Sequence, residues 1–147
     1  MKIIILENRE AEKIINHFIS YGFSELILFE SSNKKINKEY YRLNDINITA
    51  LNGFPYETTL DKLLKIKGSL NESFFVVYSK SIADFDIEKI IIRHKSSQKI
   101  ATLVEYNKAL CAALLESEAL DYSQGAKSLE KEVILRMGED QEIVVYK

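Results

Sequence analysis

Short apolar runs alternate with amphipathic stretches along this chain. Met1–Leu6 is apolar and rich in β-branched residues, the pattern of a strand buried on both faces. Asn8 is placed to cap a helix with apolar positions at Ala11, Ile14, Ile15, Phe18 and Ile19, and Gly22 is its stop. Phe23–Phe29 reads as a second buried strand. The polar stretch Glu30–Asp45 has room for one short helix carrying Ile36, Tyr40 and Tyr41 on one side. Ile46–Leu51 alternates: Ile46, Ile48 and Ala50 share a face, and Asn47 and Thr49 take the other, as in a half-covered strand. "NGFP" makes a turn with the only proline, Pro55. Thr58, with Asp61 three residues on, is a capping pattern ahead of Leu60, Leu63, Leu64 and Ile66, and Gly68 closes that helix.

The second half repeats the rhythm. Phe74–Tyr78 is a strand, Asp86–Lys95 an amphipathic helix and Ile100–Glu105 a further strand. An apolar segment follows at Leu110–Leu115, Ser128 caps a helix through Met137, and Ile143–Tyr146 adds a last strand. Strands alternating with helices predict a three-layer α/β/α sandwich around a mainly parallel, Rossmann-like sheet. No repeat, low-complexity tract or linker interrupts the 147 residues, so one domain over residues 1–147 is expected.

Composition narrows the function classes. Apolar residues form 46% and charged ones 29%, ordinary for a soluble globular protein. A net charge of -2 gives no electrostatic reason to expect nucleic acid or an anionic membrane as partner. The start turns acidic too soon for a signal sequence, and no apolar run reaches membrane-spanning length. One cysteine, Cys111 in "ALCAALL", reads as buried filler in a reducing compartment. A cytoplasmic protein is expected.

Candidate chemistry is sparse. His94 shares a stripe with Ile87, Ile90 and Ile91, which places it at the rim of the core rather than in catalysis. His17 has no cysteine or histidine at metal-ligand spacing, so no metal site is expected. Asp84 and Asp86 form a pair, but Asp86 precedes "IEKI" and reads as a helix cap. The lysines of "NKKINK" and "KLLKIK" read as solvated faces, and the eight tyrosines form no stacking platform for nucleic acid.

Three ordered stretches carry a resemblance: "MKIIIL" with "EKIINHFISYGFSELIL"; "FFVVYSKSIADFDIEKIIIRHKSSQKIATL"; and "CAALLESEALDYSQGAKSLEKEVILRM". Together they resemble the sugar-phosphate nucleotidyltransferases, of the sugar 1-phosphate cytidylyl- or guanylyl-transferase kind, in a truncated and degenerate form. These enzymes join a sugar 1-phosphate to a nucleotide and release pyrophosphate. The resemblance implies a nucleotide-diphospho-sugar transferase-like fold with ligands at the carboxyl ends of the strands.

The family's functional residues are largely missing. Its glycine-rich phosphate loop follows the first strand, yet no glycine lies between Met1 and Tyr21 here, and Glu7 and Glu10 would repel phosphate. Aligning "VVYSKSIADFDI" with the family's glycine–aspartate turn puts Ser79 on the glycine and Lys80 on the metal-binding aspartate. An ammonium cannot ligate Mg²⁺, which takes hard oxygen donors. The glycine–threonine turn before the family's next helix appears as "ETTLDKL", where Thr58 or Thr59 survives without the glycines. Between Glu105 and Leu110 only "YNKA" stands where the family carries a sugar-binding excursion, leaving Lys108 without its motif. A second metal-binding aspartate, which the family has close to its carboxyl terminus, finds no counterpart before Lys147.

The resulting expectation is a non-catalytic binding or partner module of nucleotide-sugar or surface-polysaccharide metabolism, needing no cofactor. Its candidate anion-binding residues are Lys80, Ser79, Ser81, Thr58 and Arg9, with no catalytic or metal-ligating residue. The partner would be a second copy or a full-length enzyme of the pathway. Two other readings stand beside it. One is an active transferase with Mg²⁺, Lys80 as phosphate clamp and Arg9 as the added basic group. The other is a sensor that binds sugar phosphate or nucleotide without turnover.

Overall fold

The computed structural model of the chain describes residues 1–6, 9–30, 36–54 and 56–147. Asn8 as helix cap, Glu7 as phosphate repeller, Pro55 in its turn and Lys34–Lys35 of the lysine-rich stretch therefore lie outside the described residues.

Seven strands, β1 (Lys2–Ile5), β2 (Glu25–Glu30), β3 (Asn47–Asn52), β4 (Phe74–Val77), β5 (Ala101–Tyr106), β6 (Ala109–Leu115) and β7 (Ile143–Tyr146), form one sheet. Their order is β3-β2-β1-β4-β6-β5-β7. All are parallel except β6, which pairs antiparallel with both β4 and β5. The apolar segment Leu110–Leu115 is thus the returning arm of a hairpin. Its turn, Asn107 and Lys108, takes positive φ at both residues (52° and 65°), which matches the twist of the flanking strands.

Helices α1 (Ala11–Ser20), α2 (Lys38–Arg42) and α4 (Ile87–Ser97) cover one face. There Ile14, Phe18, Tyr41, Ile87 and Ile90 pack on Ile3, Ile5, Phe75 and Val77. The other face carries α3 (Thr59–Lys65) and α5 (Ile134–Glu139), with Leu60, Leu63, Val133 and Met137 against Ile4, Phe74 and Val76. β1 and β4 are buried on both faces, as central parallel strands must be. The expected three-layer α/β/α sandwich with a mainly parallel sheet is what forms.

Local capping chemistry sets the boundaries. Thr58 Oγ1 accepts from the Asp61 N–H at 3.1 Å while Asp61 accepts from the Thr58 N–H at 3.0 Å, a reciprocal box. Asp86 accepts from Glu88 N and Lys89 N and so caps α4 as expected. Ser128 accepts from Lys131 N, but the turn it opens, Leu129–Val133, is π-helical before α5 begins. Other boundaries differ. α1 starts after Glu10, which makes no side-chain cap. Tyr40 points to solvent while Ile36 and Tyr41 are buried, because α2 begins only at Lys38 and spans little more than a turn. α3 ends at Lys65, and Gly68 lies in a separate 3₁₀ turn, Lys67–Ser69.

Candidate functional site

The carboxyl ends of β1–β4 and β5 lie along one edge of the sheet, where a parallel α/β fold presents its ligands. At the centre of that edge β4 runs out at Val77. The Tyr78 and Ser79 N–H groups both donate to the Cys111 carbonyl, at 2.9 and 3.3 Å, pinning the exit to the start of β6. Ser79 then accepts from Ser81 N at 3.4 Å and opens a 3₁₀ turn, Lys80–Asp84. Ser79, Lys80 and Ser81 therefore sit on one turn, the serines half-buried and the lysine exposed.

Lys80 has an anionic neighbour already. Its Nζ lies 3.5 Å from Glu10 Oε1, at the residue preceding α1. The turn and α1 are further joined by His17 Nε2 meeting the Phe85 carbonyl at 2.8 Å. Arg9 is exposed and adjacent to Glu10 in the chain, so it belongs to the same corner. Thr58 does not: α3 lies on the opposite face of the sheet from α1, and the Thr58 hydroxyl is engaged in its capping box.

Sequence reasoning passed over Tyr78. Its side chain turns to the α3 face, towards Thr59 and Glu130. Its hydroxyl oxygen is sealed from solvent, with the polar side chains of Thr59 and Glu130 acting on it. Burial first, and then the Glu130 carboxylate, push the phenol far above its ordinary pKa. A tyrosine ending an apolar strand gave no signal of this, because Glu130 comes from a distant turn. Cys111 is buried as expected, and burial raises its thiol to about 11, which leaves it inert at neutral pH.

A second polar cluster occupies the opposite edge of the sheet. His94, expected at the rim of the core, is instead almost wholly buried. Its Nε2 lies 2.8 Å from Glu116 Oε1 and its Nδ1 2.7 Å from Thr102 Oγ1. Glu116 Oε2 accepts from Ser73 Oγ at 2.7 Å. A carboxylate only accepts, so Nε2 carries a proton towards Glu116, while Nδ1 and the Thr102 hydroxyl share the second hydrogen bond. The network ties α4, β5, the end of β6 and the start of β4 together. Thr102 is fully buried and so no nucleophile. A cavity of about 400 Å³ opens beside it, lined by Lys95, Lys99, Glu116 and Glu118 among others. Another, of about 410 Å³, lies between Tyr21, Phe23 and the Ile87–Ile91 face of α4.

At the head of the β4 turn Ser79, Lys80 and Ser81 offer two hydroxyls and an ammonium, a set unsuited to Mg²⁺, and the one carboxylate of the turn, Asp84, stands at its far end. No cluster of three or more histidine, cysteine or acidic side chains able to hold a metal occurs among the described residues. Nor is any described helix long and apolar enough to cross a membrane.

No protein-family model matches the chain, and no curated protein matches it. Solved structures do. A Bacillus anthracis protein assigned as a glucose-1-phosphate thymidylyltransferase, in complex with sucrose, superposes with a TM-score of 0.71 at 7% identity, covering 99% of this chain and 85% of that one. A Desulfovibrio desulfuricans protein assigned as a nucleotide-diphospho-sugar transferase gives 0.58 at 8% identity, covering 99% and 78%. Molybdopterin-guanine dinucleotide biosynthesis protein A from Archaeoglobus fulgidus gives 0.50 at 15% identity, covering 99% and 83%. The fold is therefore nucleotidyltransferase-like over nearly the whole chain.

Proposed function

We propose that this protein is a non-catalytic relative of the sugar nucleotidyltransferases, a binding or partner module of nucleotide-sugar or surface-polysaccharide metabolism. The observation that carries the reading is the exit of β4. Where this fold's enzymes would hold a divalent ion, the chain offers Ser79, Lys80 and Ser81, with the lysine 3.5 Å from Glu10. Nucleotidyl transfer depends on positioning and on neutralising the charge of the phosphates. The missing glycines after β1 and the hydroxyl-and-ammonium donor set at β4 both weigh against that chemistry. No cofactor enters this reading, and a cytoplasmic location goes with it. The partner is a second copy or a full-length enzyme of the pathway.

The test is pyrophosphate release with sugar 1-phosphates, CTP, GTP, UTP or dTTP, and Mg²⁺. The reading expects none above the uncatalysed rate. Turnover that is lost in Lys80→Ala would instead establish an active transferase using Lys80 as its phosphate clamp. The sensor reading draws on the exposed ammonium of Lys80 and predicts binding of sugar phosphate without turnover, abolished by Lys80→Asp.

A further inference from the structure

The two margins of the sheet differ in chemistry. β3 presents Asn47, Thr49 and Asn52, polar residues that blunt an edge. β7 reads Ile143-Val144-Val145-Tyr146, with no charge, proline or bulge inside it to discourage pairing. Its backbone direction follows from one bond: the Glu142 carbonyl accepts from Ala101 N at 3.0 Å and so faces β5. Backbone groups alternate along a strand, so Val144 and Tyr146 also face β5, while Ile143 and Val145 turn their N–H and C=O away from the sheet.

We propose that β7 pairs antiparallel with β7 of a second copy of this chain, about a two-fold axis passing beside Val144. In that register Ile143 of each copy exchanges its N–H and C=O with Val145 of the other, and the sheet continues across both. The charges flanking β7 select this orientation. Asp140 and Glu142 precede the strand and Lys147 follows it, so antiparallel pairing sets the acidic end of one copy beside the lysine of the other, at both ends of the seam. Parallel pairing would bring like ends together. The two helices packed on β7, α4 and α5, each leave a large apolar side chain exposed, Ile92 at 59% and Leu135 at 60%. The proposal names the partner that the functional reading leaves open, and rests on that reading only for its purpose in the cell.

Light scattering on the eluting protein tests it. The wild type is expected at twice the 17.0 kDa chain mass at micromolar concentration, weakening as salt rises. Val145→Pro removes only an outward N–H, so the ladder to β5 survives and the dimer does not. Val145→Lys places a gatekeeping charge on the seam at a position already 41% exposed, and decides the matter if the proline variant fails to fold. Both are expected as monomers, with the Val145 amide of the wild type protected from exchange in the dimer and released on dilution. A monomeric wild type, or a dimer whose mass neither variant changes, overturns the proposal. The pyrophosphate assay is read separately, so turnover would sink the functional reading and leave the seam to be judged on mass alone.

Discussion

Thr102→Val probes whether His94 is held as structure rather than poised for chemistry. Valine keeps the shape of threonine and deletes the hydroxyl that pairs with His94 Nδ1 at 2.7 Å. The nitrogen is then left buried without its partner, since His94 is 3% and Thr102 0% exposed. Stranding a buried polar atom costs about 1–3 kcal/mol. For a chain of this size a loss of that order lowers the melting temperature by roughly 2–4 °C per kcal/mol. Replacing both partners, as in His94→Leu with Thr102→Val, removes the stranded atom, so the second substitution should cost less than it does alone. A double-mutant cycle by urea unfolding should therefore give a coupling of about 0.5–3 kcal/mol. Thr102→Val within about 0.5 kcal/mol of the wild type, the scatter of ordinary surface changes, would refute the reasoning. So would strict additivity, because Nδ1 would then not depend on this hydroxyl.

Other outcomes follow from the same geometry. Thr58→Ala opens the capping box of α3 and should lower stability by about 1 kcal/mol in thermal unfolding, with Thr58→Ser close to wild type. The Glu57 carboxyl is held below its ordinary range, first by the Lys65 ammonium and then by the Phe54 N–H. A depressed folded pKa stabilises above the unfolded pKa and is lost as pH falls through the folded one, so Glu57→Gln should flatten the acid limb of the stability profile below about pH 4–5. Carbon-detected titration of Glu57 should place its midpoint below that of a free glutamate. The Cys111 thiol, raised to about 11 and buried, should resist a thiol reagent in the folded protein and react on addition of denaturant.

Much of this fold could be read from local pattern. Central strands appear as unbroken β-branched runs, and Thr58, Asp86 and Ser128 announce their helices through chemistry that acts within a few residues. β6 escaped because its direction is decided by the Asn107–Lys108 turn, where neither residue is the glycine that usually marks positive φ. Tyr40 and Tyr41 look alike in sequence, and only the late start of α2 at Lys38 settles which is buried. The β4 turn was legible as a place, since Ser79–Ser81 follow an apolar strand, but the Glu10 carboxylate beside Lys80 comes from the far end of the β1–α1 connection. The His94 network was hidden for the same reason: Ser73, Thr102 and Glu116 come from three separate strand ends.

The central claim is that the exit of β4 cannot hold a metal-bound triphosphate. Calorimetric titration of the protein with CTP, GTP, UTP and dTTP, each with and without Mg²⁺, tests it most directly. The account predicts no saturable heat with any of them, and no gain on adding the metal. Micromolar binding that strengthens with Mg²⁺ and vanishes in Lys80→Ala would contradict it.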